Sequence, residues 1–346
     1  VCGLGLRLAR QERLCASNRN ASSFFEADMR YDQNDRESSN VEDRRGQDGG
    51  GGFQFPGGGL QIPLGGRGGF SMTTLLIIGA VMLLFGINPL DVLFGTNGQI
   101  GMPQMPHSER PDRAPSNIPG LPGSSQKQAA GDDAEKAFIS KVLADTEDVW
   151  TSVFQSFGKT YRDPPLVIYS GYTRTACGAG QAAMGPFFCP LDQKVYIDLQ
   201  FYDELKRKFN VSGDFAQAYV IAHEVGHAVQ KQLGILDKVQ ELKERADDEA
   251  TANQIQVRTE LQADCLAGVW ANLNDQMKKR LQPGDVEEAL NAASQIGDDM
   301  IQKKMTGRVV PDAFTHGSAA QRVRWFKAGL DSGRMDACDT FNTANP

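Results

Sequence analysis

The sequence predicts an α+β fold: a helix-rich domain with a small sheet over residues 132–346, behind a non-globular leader. Three observations lead there. Apolar residues recur at helical spacing from Asp132 onward, two short β-type runs interrupt the helical pattern, and the residues before Asp132 are dominated by Gly, Pro and Ser.

Residues 1–28 are mildly basic and lack a long apolar run, so they make a poor secretory signal. Met29 opens a different, polar stretch and reads as the natural start, which leaves 1–28 as a non-native or disordered extension. Residues 29–70 read as a cytoplasmic tail, polar at first and then glycine-rich. A run such as GGGGFQFPGGG buries too little surface to fold and behaves as a tether. No charge occurs from Ser71 to Ile87, and 71–94 reads as one transmembrane helix, at the short end of the roughly 20 apolar residues a span needs. Arg44, Arg45 and Arg67 precede the charge-free run and Asp91 follows it. The positive-inside rule then places the N-terminus in the cytoplasm and the domain outside it, which is the periplasm if the cell is a Gram-negative bacterium and the span sits in its inner membrane. Residues 95–131, rich in Pro, Gly and Ser, read as a linker. His107 within them is far from any metal-like grouping.

The domain opens with Phe138, Val142, Val149, Val153 and Phe154 at helical spacing. PPLVIYSG and Val195–Leu199 read as strands, and the second alternates as an edge strand for a peptide would, turning Tyr196 toward a cleft. Helices are expected over about 213–233, 238–276, 285–304 and 318–330, with a break in the long one. The net charge of -7 and pI near 5.3 argue against nucleic acid as a partner.

The chemistry concentrates in AYVIAHEVGHAVQKQLG. His223 and His227 are four residues apart and share a helix face, so both imidazoles can grip one zinc ion. Glu224 sits one step round, placed to take a proton from water at the metal. Gly226 leaves room for a close approach. A catalytic zinc takes three protein ligands and keeps one position open. Gln230 and Leu233 stand where the metzincin pattern places glycine and a third histidine, which excludes that class. Downstream, RTELQADCLAGVW puts Glu260 and Asp264 on one helix face. One carboxylate can ligate zinc while the other orients a ligand histidine. Glu260 is assigned as ligand and Asp264 as the carboxylate behind it, with Asp264 or His316 as the alternative third ligand.

HEVGH, then ELQADCLAGVW, then THGSAAQRVRWF resemble, in the same order, the bacterial neutral zinc metallopeptidase family, as do ACGAGQAAMGPFFCP and KVYIDL. The resemblance covers Met29 to the C-terminus. It implies a zincin-like domain, a single N-terminal membrane span and peptide or protein substrates. More distantly, E-x-x-A-D is similar to the gluzincin membrane proteases related to prenyl-protein peptidases. There the first acid binds the metal, which supports Glu260. That group has several spans where this chain has one, so a prenyl-peptide substrate does not carry over.

Six cysteines are present and none forms C-x-x-C, which excludes a thiolate zinc knuckle. The four in the domain allow three full pairings. An oxidising location leads to the expectation of Cys177–Cys189, closing a short loop, and Cys265–Cys338, pinning the C-terminal tail to the Glu260 helix. His316, just before an N-capping Ser318, is assigned as donor to the oxyanion of the reaction, with Tyr196 or Arg322 next in line. The expected function is peptide-bond hydrolysis with one zinc per chain. A zinc amidase acting on cell-wall peptides and a non-catalytic zinc-binding membrane adaptor are the alternatives. Glu224 speaks against the adaptor, because a structural zinc site needs no general base.

Overall fold

The computed structural model describes residues 29–46, 124–181, 185–209, 211 and 213–346. The extension 1–28, the expected span 71–94 and most of the expected linker lie outside them. No helix among the described residues is long and apolar enough to cross a membrane.

A four-stranded mixed sheet packs one face on a cluster of helices. The strands are β1 (Val41–Asp43), β2 (Leu166–Tyr169), β5 (Phe187–Cys189) and β6 (Lys194–Asp198), in the order β1-β2-β6-β5. β1–β2 and β2–β6 are parallel, and β5–β6 is an antiparallel hairpin. A separate hairpin, β3 (Tyr172–Thr175) and β4 (Gly178–Gln181), completes the β structure. The helices are α1 (Ser124–Ser156), α2 (Gln200–Phe209), α3 (Asp214–Gln232), α4 (Ile235–Glu244), α5 (Glu249–Lys278), α6 (Asp285–Gln295), α7 (Asp298–Thr306) and α8 (Ala319–Ser332). This is the helix-rich α+β architecture expected.

Period-two alternation sends Leu166, Ile168, Val195, Ile197 and Phe188 into the main core with α1, α3 and α5. Val167, Tyr169, Cys189 and Tyr196 form a small cluster on the opposite face. The Cys177–Cys189 disulfide joins the β3–β4 turn to that second face, and Cys265–Cys338 ties α5 to the C-terminal tail.

Several boundaries differ from expectation. α1 starts at Ser124, inside the stretch read as linker. The break expected in the 238–276 pattern falls at residues 245–248, where Asp248 caps α5 by accepting from the Thr251 amide. The 285–304 pattern divides at Gly297, against whose Cα the Ala319 backbone lies so closely that a Cβ would sit 2.3 Å from its nitrogen. β6 is not an edge strand: β2 and β5 flank it, and β1 and β5 are the edges among the described residues.

The largest departure is at residues 29–46, assigned by composition to a polar tail. They are folded onto the domain. β1 pairs with β2, Met29 is buried, and Arg280 forms a two-pronged pair with Asp35 (2.8 and 2.9 Å) while also holding Asp145. Composition cannot register this, because polar segments that dock through ion pairs read like solvated ones.

Candidate metal centre

α3 supplies the first two donors. Its His223, Glu224 and His227 are nearly buried, and Gly226 lets α5 approach: a Cβ there would lie 3.1 Å from Ala263 O. That approach brings Glu260 over the histidine pair. His223 Nε2 and His227 Nε2 each lie 3.2 Å from Glu260 Oε2, and the three donor atoms all fall within 4.8 Å of one another. A tetrahedral zinc with bonds of about 2.0–2.1 Å requires donors about 3.3 Å apart, so the set fits zinc.

Each donor is held from behind. Asp264 Oδ1 accepts from His223 Nδ1–H (2.7 Å), so the Nε2 lone pair faces the metal position. Gln230 Oε1 accepts from His227 Nδ1–H (2.8 Å). The Gln230 amide is oriented by its own donation to Thr259 O and Gln262 Oε1. Gln256 donates to Glu260 Oε1 (2.6 Å), which directs Oε2 inward. Asp264 is thus the orienting carboxylate and Glu260 the one facing the histidines.

Asp264 is fully buried, and three groups satisfy it. Besides His223 it accepts from Tyr219 OH (2.6 Å) and from Arg322 Nε and Nη2 (both 2.9 Å). Arg322 comes from α8, which reaches α5 because Gly329 lies on the Cys265 carbonyl; a Cβ there would sit 1.9 Å from that oxygen.

The electrostatics follow from burial and these partners. Burial opposes the charge on Asp264, but Arg322 and His223 outweigh it and hold the carboxyl well below its usual range. Burial likewise opposes charge on Glu260, and the two imidazoles outweigh it. His227 is pushed up to about 9: burial disfavours its cation, yet Glu260 more than compensates. The same pull toward positive charge acts on a metal cation. Glu224 moves the other way. Burial raises its carboxyl, with the two histidines opposing in part, so it sits nearer the range of a proton shuttle.

His316 is outside the donor cluster. Its half-exposed ring is held at Nδ1 by Asp298 Oδ1 (3.3 Å) and Thr315 Oγ1 (3.0 Å), while Asp298 Oδ2 accepts the amides of Thr315, His316 and Gly317. The charge of Glu260 still reaches it. Two further expectations are corrected. Tyr196 does not face the cleft; it is buried on the far sheet face, stacked on Phe187, with its hydroxyl on Asp192. Arg322 is no oxyanion donor, because it is buried behind His223 and committed to Asp264.

Tyr219, Gln230 and Gln256 were missed as functional residues, though each carried a signal: Tyr219 is four residues before His223, Gln230 three after His227, and Gln256 four before Glu260. The role of Arg322, 58 positions from Asp264, had none.

A buried set of two histidines and a carboxylate that could hold a metal ion stands beside a second carboxylate, Glu224, whose proton affinity burial raises. The chain belongs to the family described as "Putative neutral zinc metallopeptidase", whose model matches residues 29–341. It is similar to the uncharacterized protein YpfJ of Escherichia coli (strain K12), 48% identical over 313 residues, covering 90% of this chain and 99% of that one. It is also similar to the uncharacterized protein Rv2575 of Mycobacterium tuberculosis (strain ATCC 25618 / H37Rv), 40% identical over 235 residues, covering 65% and 78%. No solved structure gives a significant match.

Proposed function

We propose that this chain is a zinc metallopeptidase that hydrolyses peptide bonds, with one zinc held by His223, His227 and Glu260. The observation that carries the reading is the convergence of those three donors at zinc spacing, with Glu224 on the same helix turn. Zinc held there would supply Lewis-acid polarisation of a carbonyl and a lowered pKa for water. Glu224 accepts the proton of the attacking water and delivers it to the leaving amine. His316 serves as donor to the developing oxyanion. With Nδ1–H given to Asp298, its Nε2 donates only as the imidazolium, which the Asp298 carboxylate favours. An extended substrate lies along the edge of β5, whose Phe188 amide faces Glu224. The charge-free stretch within 71–94 attaches the protein to the bacterial inner membrane, with the metal centre outside the cytoplasm.

The test is Glu224→Gln assayed on an unfolded protein substrate. Zinc content stays near one per chain and hydrolysis falls about 10²–10⁴-fold. Activity within about tenfold of the parent would remove Glu224 as the base. His223→Ala and His227→Ala lose the zinc itself; full retention would sink the site. Turnover of cell-wall peptides but not of unfolded protein would replace the peptidase reading with that of an amidase.

A further inference from the structure

Residues 29–46 stand before the apolar stretch 71–94 and the metal centre stands after it, yet both belong to one folded body. We infer that residues 29–46 lie on the same side of the membrane as the metal centre, so the chain between 46 and 124 does not make a single crossing.

The docking is not an incidental contact. β1 continues the sheet: Leu166 N donates to Asn40 O and Arg44 N to Ile168 O (2.9 and 2.8 Å). Glu147 on α1 is buried, and the partners that hold its carboxylate are Arg36, Ser38 and Asn40, all from this segment. Arg36 also donates to Ala144 O and Asp148. Arg280, nearly buried at the end of α5, donates to Asp35 and to the Arg30 carbonyl. Withdrawing 29–46 would strip a buried carboxylate of these partners and expose the ladder edge of β2. Hydrogen bonds of this length cannot form across a hydrocarbon layer about 30 Å thick.

A single crossing would put residues 46 and 124 on opposite faces. Two crossings would restore them to one face, but need about 40 apolar residues at roughly 20 each. The stretch 71–94 holds 24 residues, including Asn88, Pro89 and Asp91. The outward location given under the proposed function suits the Cys177–Cys189 and Cys265–Cys338 disulfides, and 29–46 goes with the domain. The charge bias around the stretch gives the opposite answer for the N-terminus, and the tertiary contacts overrule it. The membrane attachment rests on the proposed function; the shared side does not.

Full-length protein in Escherichia coli spheroplasts tests this, with Cys2 and Cys15 replaced by serine. Single reporter cysteines go at exposed positions: Ser39→Cys or Glu37→Cys before the stretch, Lys327→Cys after it. A membrane-impermeant maleimide is added before or after lysis. The expected result is equal labelling of all three before lysis. One side labelled before lysis and the other only after would overturn the shared side. All three silent until lysis would overturn the outward assignment. Recovery of the protein wholly in the soluble fraction would sink the membrane attachment, leaving equal labelling to stand by itself.

Discussion

Replacing Arg322 with Met tests how the centre is held. Arg322 touches no metal donor, but it supplies two of the hydrogen bonds on Asp264, which in turn fixes the His223 tautomer. Without it, Asp264 keeps Tyr219 and His223 but loses its cationic partner while remaining fully buried. Removing one member of a buried pair costs about 3–5 kcal/mol, a large share of the roughly 5–15 kcal/mol that holds a domain. Burial then acts unopposed by Arg322 and the Asp264 carboxyl titrates at higher pH. Once protonated it no longer accepts from His223 Nδ1–H, and the Nε2 lone pair is no longer reserved for the metal. Loss of such an orienting partner lowers metal affinity about 10–100-fold. The sign with pH follows: Asp264 is held low in the parent, so its contribution is complete above the ordinary carboxylate range and lost only in strong acid. In Arg322→Met the loss moves toward neutrality. Competition with a chromophoric zinc chelator, run from pH 5 to 8 beside urea unfolding, reads both effects. Arg322→Lys keeps the charge but not the two-pronged geometry, and recovers only part of the affinity. Zinc affinity in Arg322→Met within about twofold of the parent across that range would refute the reasoning.

Gln230→Leu removes the acceptor for His227 Nδ1–H and should weaken zinc binding by about tenfold or more in the same competition assay. His316→Ala should keep zinc and lower kcat about 10²–10³-fold. Its pKa is raised, so both the donor and the stability of its pair with Asp298 are present below about 6.5. They fade as pH rises through the higher folded value, and the alkaline limb of kcat/KM should disappear in the variant. Zinc lost in His316→Ala but kept in Glu260→Ala would reassign the third ligand. Cys338→Ser opens a 73-residue loop and Cys189→Ser a 12-residue one. By chain entropy these cost about 4 and about 3 kcal/mol, so the first should lower the urea midpoint more.

Much of the centre was legible because its spacing is local. A four-residue step on a helix puts His223 and His227 on one face whatever surrounds it, and the same step joins Glu260 to Asp264. Helix positions were legible where the 3.6-residue period is strong. The break in the long helix was expected and its place, 245–248, is set by an Asp cap; the division at 297 was not, because a close backbone crossing there interrupts a continuing apolar pattern. The β6 strand was legible from alternation, but not its place in the sheet: alternation reports which residues share a face and says nothing of which strand lies alongside.

By itself, then, the sequence determined the donor types, the helices that carry them and the α+β class, all of which depend on neighbours within about one helical turn. The tertiary structure agreed with the assignment of Glu260 over Asp264 as the acid facing the histidines, and it alone decided that Arg322 stands behind Asp264. It also removed Tyr196 from the cleft and made residues 29–46 part of the domain. Each of those depends on where two distant segments cross. Pairing across 58 residues between α5 and α8, or across the whole leader between β1 and β2, leaves no periodic trace in either segment.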